Sequence, residues 1–162
     1  MDKEEFSKMF DEKKFQVFIF RCPCNIPFNI FSHTWFVINK KGKLSRWEVL
    51  FRKKCKSSWG HLHKNYFQLA DGIDMFLFKS KFIWDSKLIG IVDKNSLAKK
   101  MINLIEKSKN EYPYRDYYNL LGPNSNTYVQ WILNHFPKIK IKLPWNAVGK
   151  KYKTNIKKNY YK

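Results

Sequence analysis

An α+β fold with a mostly antiparallel sheet and helices on one side is what three features of this sequence predict. Strand-like runs crowd the stretch from 15 to 92, helical periodicity dominates from 93 onward, and a two-strand hairpin with a lysine-tipped turn sits near the start. At 162 residues the chain suits a single domain, long enough to bury a core without disulfides or metal. The expected division is one α+β domain over residues 1–149 and a lysine-rich C-terminal tail over 150–162.

Residues 2–10 place Phe6, Met9 and Phe10 on one side of a short helix. "FQVFIF", 15–20, is a strand by its β-branched and aromatic content, and the prolines and asparagines of "RCPCNIPFN" end it. "SHTWFVI", 32–38, is a second strand; "NKKGK" turns around Gly42 and "LSRWEVLF", 44–51, returns antiparallel. Alternation sets Leu44, Arg46, Glu48 and Leu50 on one face of that strand, and Ser45, Trp47, Val49 and Phe51 on the other. From 52 to 80 the pattern supports a strand within "CKSSWGHLHKNYFQL" and a turn with a short strand in "ADGIDMFLF". "KFIWDSKLIGIV", 81–92, is one further strand. Leu97, Met101, Leu104 and Ile105 then recur at helical spacing behind an Asp or Ser cap. A second helix opens near Asn124, carries Tyr128, Val129, Ile132, Leu133 and Phe136 on one face, and ends before Pro137. "IKIKLPW" is a last extended piece.

The net charge is +19, from 32 Lys and Arg against 13 Asp and Glu. An anionic partner is the direct implication: a membrane surface, a cell-wall polymer or nucleic acid. The excess is mostly lysine in a chain also rich in Asn, Ile, Tyr and Phe, a mixture that AT-rich coding produces without any partner. The one concentrated patch, Lys150 to Lys162, holds six lysines and no acid, the composition of a solvated end. No apolar run approaches the ~20 residues of a membrane span. The opening "MDKEEFSKMF" is acidic and mixed, unlike a secretory signal, so the expected location is cytoplasmic. Three cysteines without such a signal point to reduced thiols.

Three groups of residues are candidates for chemistry. "GPNSNTYVQWIL", 122–133, delivers Asn124, Ser125, Asn126 and Thr127 to the start of a helix. A helix needs one cap, so the segment is either an over-supplied N-cap or the mouth of a site. Ser125 would there meet free N–H groups and the helix dipole, which favour an oxyanion. His33, on the strand "SHTWFVI", is a candidate base, with Glu48 across the hairpin to orient its ring; each is otherwise an ordinary strand residue. Cys22, Cys24, Cys55, His61 and His63 are ligand types that zinc accepts, but their spacing fits no standard zinc module and scattered core cysteines explain them better. Phosphate-loop, dinucleotide and HExxH motifs are absent, and no cofactor is expected.

Two blocks carry a resemblance. Gly122, Pro123, Asn124, Ser125, Asn126, Thr127 and Tyr128 form the first; Leu143, Pro144, Ala147, Val148, Gly149, Lys150 and Tyr152 form the second, with Lys151 where an Asp is usual. Together they resemble the signature of an uncharacterised bacterial domain family, and "HTWFVI" with "RWEV" is similar to its N-terminal half. More distantly, a histidine on an early strand, a polar group on the next strand and "NSNTYV" opening a helix are similar to the permuted papain-like proteins, the NlpC-type and lecithin:retinol acyltransferase-like group. In that group a helix-opening cysteine attacks an amide or ester and the strand histidine is its base. The resemblance implies a permuted papain-like fold with Ser125 as nucleophile, His33 as base and Glu48 as third member. Asn124 and Asn126 would cap the helix or support an oxyanion, Trp35 would flank the substrate, and Lys150 would be either structural or substrate-facing. The departure is the nucleophile, because serine is far less acidic than a thiol. The implied function is a hydrolase or acyltransferase acting on an amide or ester. The alternative is a catalytically inactive papain-fold binding module for an anionic partner.

Overall fold

A computed structural model describes residues 3–25, 27–52, 56–77 and 80–153 of the chain. Its frame is a six-stranded sheet in which every neighbouring pair is antiparallel. In chain order the strands are β1 (Phe15–Pro23), β2 (Ser32–Lys40), β3 (Lys43–Val49), β4 (Ser58–Trp59) and β5 (Leu62–Lys64), with β8 (Lys87–Val92) added later. Across the sheet the order is β4-β5-β3-β2-β1-β8. β6 (Asp74–Leu77) and β7 (Ser80–Ile83) pair with each other as a separate ribbon. The helices are α1 (Lys3–Ser7), α2 (Asn95–Glu111) and α3 (Ser125–Asn134). This is the α+β architecture that the sequence predicts.

The β2–β3 hairpin is the best-specified piece. Lys40 pairs with Lys43, leaving Lys41 and Gly42 as a two-residue loop with φ of 52° and 86°. Positive φ at both positions makes the turn whose twist matches that of the flanking strands. Alternation then sorts the side chains. Phe36, Ile38, Trp47 and Val49 join Met101, Ile105, Tyr128 and Ile132 in the larger core, between the sheet and helices α2 and α3. Trp35 and Val37 face the opposite way, into a second core with Phe18, Phe20 and Cys22. That face is covered in part by α1, whose Phe6 ring lies 5.2 Å from Phe18 and 5.7 Å from Phe20. Helices therefore occupy both faces rather than one, because the second face is also apolar and needs a cover.

Three local expectations change. The run 81–92 is two strands, with Trp84 turned out of the ladder so that its carbonyl accepts the Gly72 N–H at 2.8 Å. Helix α2 starts after Lys94 without a side-chain cap; the neighbouring Asn95 carboxamide instead accepts the Phe15 N–H of β1 at 3.1 Å. "IKIKLPW" pairs with no strand among the described residues. Its Ile139 and Ile141 anchor on the larger core, Ile141 lying against Gly90 of β8.

Helix α3 and the 146–152 segment are fastened to each other. Asn124 is the N-cap; its Oδ1 accepts the N–H groups of Asn126 and Thr127, and Thr127 Oγ1 accepts the Asn124 N–H, a reciprocal capping box. Thr127 Oγ1 also donates to Gly149 O at 2.8 Å. Gly149 has φ of 89°, and a Cβ there would fall 2.6 Å from the Asn124 carboxamide. The first residues of the expected tail belong to this seam, since the Tyr152 ring packs edge-on against Tyr114 at 5.3 Å; residues 154–162 lie outside the described ones. Gly149→Ala is expected to destabilise the fold by about 1–3 kcal/mol or more through backbone strain together with that collision. Urea denaturation with the Gly42→Ala variant as control checks this: Gly42 has a similar φ of 86°, but a Cβ there would make only ordinary contact with Glu12 at 3.7 Å, so Gly149→Ala should lose more.

Candidate functional site

The site is built on the face of the β2–β3 hairpin turned away from α3. His33 on β2 and Glu48 on β3 share that face, and His33 Nε2 lies 2.9 Å from Glu48 Oε2. Arg46, two residues before Glu48 on the same strand, donates from Nη2 to the same Oε2 at 2.8 Å. Its Nε approaches Oε1 at 2.7 Å but off the hydrogen-bond line, so that contact acts mainly as charge on charge. Arg46 and Glu48 are fully buried. The guanidinium stands 4.2 Å from the Trp35 ring centre and donates from Nη1 to the carbonyls of Gln68 and Asp71. Each member thus has partners, as buried charge requires.

Electrostatics fixes the histidine tautomer. Burial pushes the Glu48 carboxyl up, but Arg46 and then His33 outweigh burial and hold it below its ordinary value. An ionised carboxylate only accepts, so Nε2 carries hydrogen and Nδ1 is the ring's remaining nitrogen. Nδ1 has no hydrogen-bond partner among the described residues, and His33 lines a cavity of about 610 Å³. Burial raises the nearby thiols, Cys22 to about 12 and Cys24 to about 11, so both stay protonated at neutral pH.

Helix α3 brings the polar cluster to the other side of the same strand segment. Asn126 Nδ2 donates to Ser32 O at 2.8 Å and its Oδ1 accepts from Thr34 Oγ1 at 2.9 Å, so the helix grips β2 on both sides of His33. Ser125 is the first helical residue and 3 % exposed. Its hydroxyl and its N–H make no hydrogen bond among the described residues, in contrast to the N–H groups of Asn126 and Thr127, which Asn124 caps. No hydrogen bond joins Ser125 to His33, and Ser125 is not among the residues lining the 610 Å³ cavity.

The residues expected to flank a substrate have other occupations. Asn124 Nδ2 donates to the carbonyls of Leu120 and Val148, and Asn126 Nδ2 to those of Ser32 and Val148, so neither amide is spare for an oxyanion. Trp35 is buried between Phe20 and Arg46, with its ring N–H on Leu69 O at 3.0 Å. Lys150 Nζ donates to Leu143 O and Pro144 O in a separate groove. In each case the backbone of a folded loop claims the side chain, which residue type alone does not reveal. Arg46 is the participant that sequence reading passed over; its signal was an Arg two residues before a Glu in a strand between aromatics. Of the zinc-type residues, Cys55 lies outside the described ones. Among the described residues no three His, Cys, Asp or Glu side chains converge as a metal site. His61 Nδ1 pairs with Leu50 O, and His63 contacts Ser58 and Arg52 O. No described helix is long and apolar enough to cross a membrane.

The fold and site define an α+β protein with a buried Arg–Glu pair holding a histidine at a cavity. The chain belongs to the family described as a protein of unknown function (DUF3750), whose model matches residues 13–152. No curated protein and no solved structure matches it.

Held below its ordinary value of 4.5, the Glu48 carboxyl contributes stability that is complete above that value and is lost as pH falls through the folded one. Glu48→Gln should therefore flatten the acid limb of the stability–pH curve below about pH 5. It should also cost about 3–5 kcal/mol at neutral pH, because Arg46 is left buried without its counter-charge. Urea unfolding between pH 3 and pH 7 measures both effects.

Proposed function

We propose that this protein is a hydrolase or acyltransferase of permuted papain-like (NlpC-type) architecture, in which Ser125 attacks an amide or ester and His33 is the base. The observation that carries this is the grip of Asn126 on Ser32 O and Thr34 Oγ1. It fastens the opening turn of α3 to the two residues that flank His33 in β2, and Ser125 Oγ and His33 Nδ1 each have no hydrogen-bond partner among the described residues.

In the proposed reaction Nδ1 takes the Ser125 proton as Oγ bonds to the carbonyl carbon. The N–H of Ser125 is the first-turn donor left to face the oxyanion. Collapse breaks the bond to the leaving amine or alcohol, which receives the proton from His33. Water, or an acceptor hydroxyl or amine, then attacks the acyl-serine with His33 again as base, freeing the acyl product and Ser125. Glu48 keeps hydrogen on Nε2, and Arg46 keeps Glu48 ionised; both are positioning residues.

A thiol placed at Ser125 tests the pairing without a known substrate. The Ser125→Cys protein should react with iodoacetamide at neutral pH at least about tenfold faster than the Ser125→Cys/His33→Gln double variant, because the imidazole promotes the thiolate. Peptide mapping separates this label from the chain's own three cysteines, of which Cys22 and Cys24 are made slow by their raised values. Equal rates in the two proteins would falsify the Ser125–His33 assignment.

A second reading, a catalytically inactive binding module for an anionic partner, is favoured by one observation. A groove of about 780 Å³ is lined by Lys142, Lys150, Lys151 and Lys153, with Gln130 and Asn134 beside them. Binding there to a polyanion such as single-stranded DNA should fall steeply with salt, and Lys142→Glu with Lys151→Glu should reduce the slope of log affinity against log salt. A slope unchanged by these substitutions removes the groove from the account.

A further inference from the structure

The cavity that His33 lines has a wall unlike the rest of this chain. Phe28, Leu50, Phe51, Phe67, Ile73 and Leu120 supply the apolar side chains of its wall, with Cys24 and Tyr118 beside them. Phe51 is 77 % exposed and Leu120 37 %, so apolar surface stays open to water at the mouth. The Phe51 ring is nonetheless held in place, 6.2 Å from His61 and 5.3 Å from Tyr118. Despite the net charge of +19, the lining contains one cation, Arg52, and one acid, Asp74. A wall of this composition offers little to a polyanion. Its volume of about 610 Å³ lies in the range of small-molecule sites and is too small for a docked protein surface.

We infer that this cavity is the acyl subsite: it binds a neutral ligand with an apolar chain or ring and directs that ligand's carbonyl toward His33. The inference rests on the proposed acyl chemistry for the direction of the carbonyl, but the apolar binding itself stands on the lining alone. The ligand class is an ester or amide of a hydrophobic acid, and the apolar part lies along Phe51, Phe67 and Leu120. Two sources supply such a group, a soluble ester or amide and a lipid.

The test is displacement of the neutral dye N-phenyl-1-naphthylamine from the full chain by 2-alkanones of five to ten carbons. Affinity should rise about three- to fourfold for each added methylene until the cavity is filled. Phe51→Asp and Leu120→Asp, both at exposed positions, should weaken dye and ketone binding at least about tenfold. Dye binding independent of chain length, or unaffected by either aspartate, overturns the subsite. A subsite that behaves as described in a protein whose Ser125→Cys thiol ignores His33 separates the two ideas, because the apolar site then stands while the acyl reaction falls. Co-sedimentation with neutral phosphatidylcholine vesicles, lost in Phe51→Asp, assigns the lipid source; chain-length dependence without co-sedimentation assigns the soluble one.

Discussion

A buried carboxylate between a guanidinium and an imidazole is the constraint on which the rest of this molecule depends. Glu48 is inaccessible to water, and the buried Arg46 guanidinium would not be tolerable at its depth without that charge. The requirement propagates outward. Arg46 needs acceptors for its remaining hydrogens and takes the carbonyls of Gln68 and Asp71, which pins the loop after β5 over this face of the sheet. Trp35 supplies the flat surface under the guanidinium and is anchored in turn by Leu69 O. A loop of little secondary structure is therefore held by the Arg46 guanidinium and the Trp35 ring together.

The two faces of β2 divide the labour. Residues of one parity, Thr34, Phe36 and Ile38, receive α3 and close the larger core; His33 and Trp35, of the other parity, belong to the charged network and the smaller core. The polar cluster at 124–127 is mostly structural cement. Asn124 caps and joins, Asn126 grips β2, and Thr127 reaches Gly149. Ser125 alone in that cluster makes no hydrogen bond with its side chain among the described residues, and this exception, rather than the cluster's polarity, draws attention to it.

Charge and chemistry are also separated in space. The lysine groove at 142–153 and the cavity that His33 lines share no lining residue. A basic exterior and an apolar, nearly charge-balanced pocket make different demands on a ligand, so the overall charge of +19 says little about what would enter beside His33.

The sequence by itself determined the local elements whose signals are short-ranged. The hairpin was legible because alternation and a Lys-Gly turn are encoded within a dozen residues, and helices α2 and α3 because a 3.6-residue period repeats along them. The pairing of His33 with Glu48 followed from the same hairpin register. Tertiary structure decided what depends on partners remote in the chain. The run 81–92 broke into two strands because the Trp84 carbonyl meets Gly72, and "IKIKLPW" stayed unpaired because its isoleucines pack on the core instead of joining an edge. Arg46 became part of the site only when a distant loop supplied its acceptors, and Asn124, Asn126 and Lys150 became fasteners only when remote carbonyls claimed them. Residue type sets which bonds a side chain can make; the fold decides which of them are already made, and so which groups remain for chemistry.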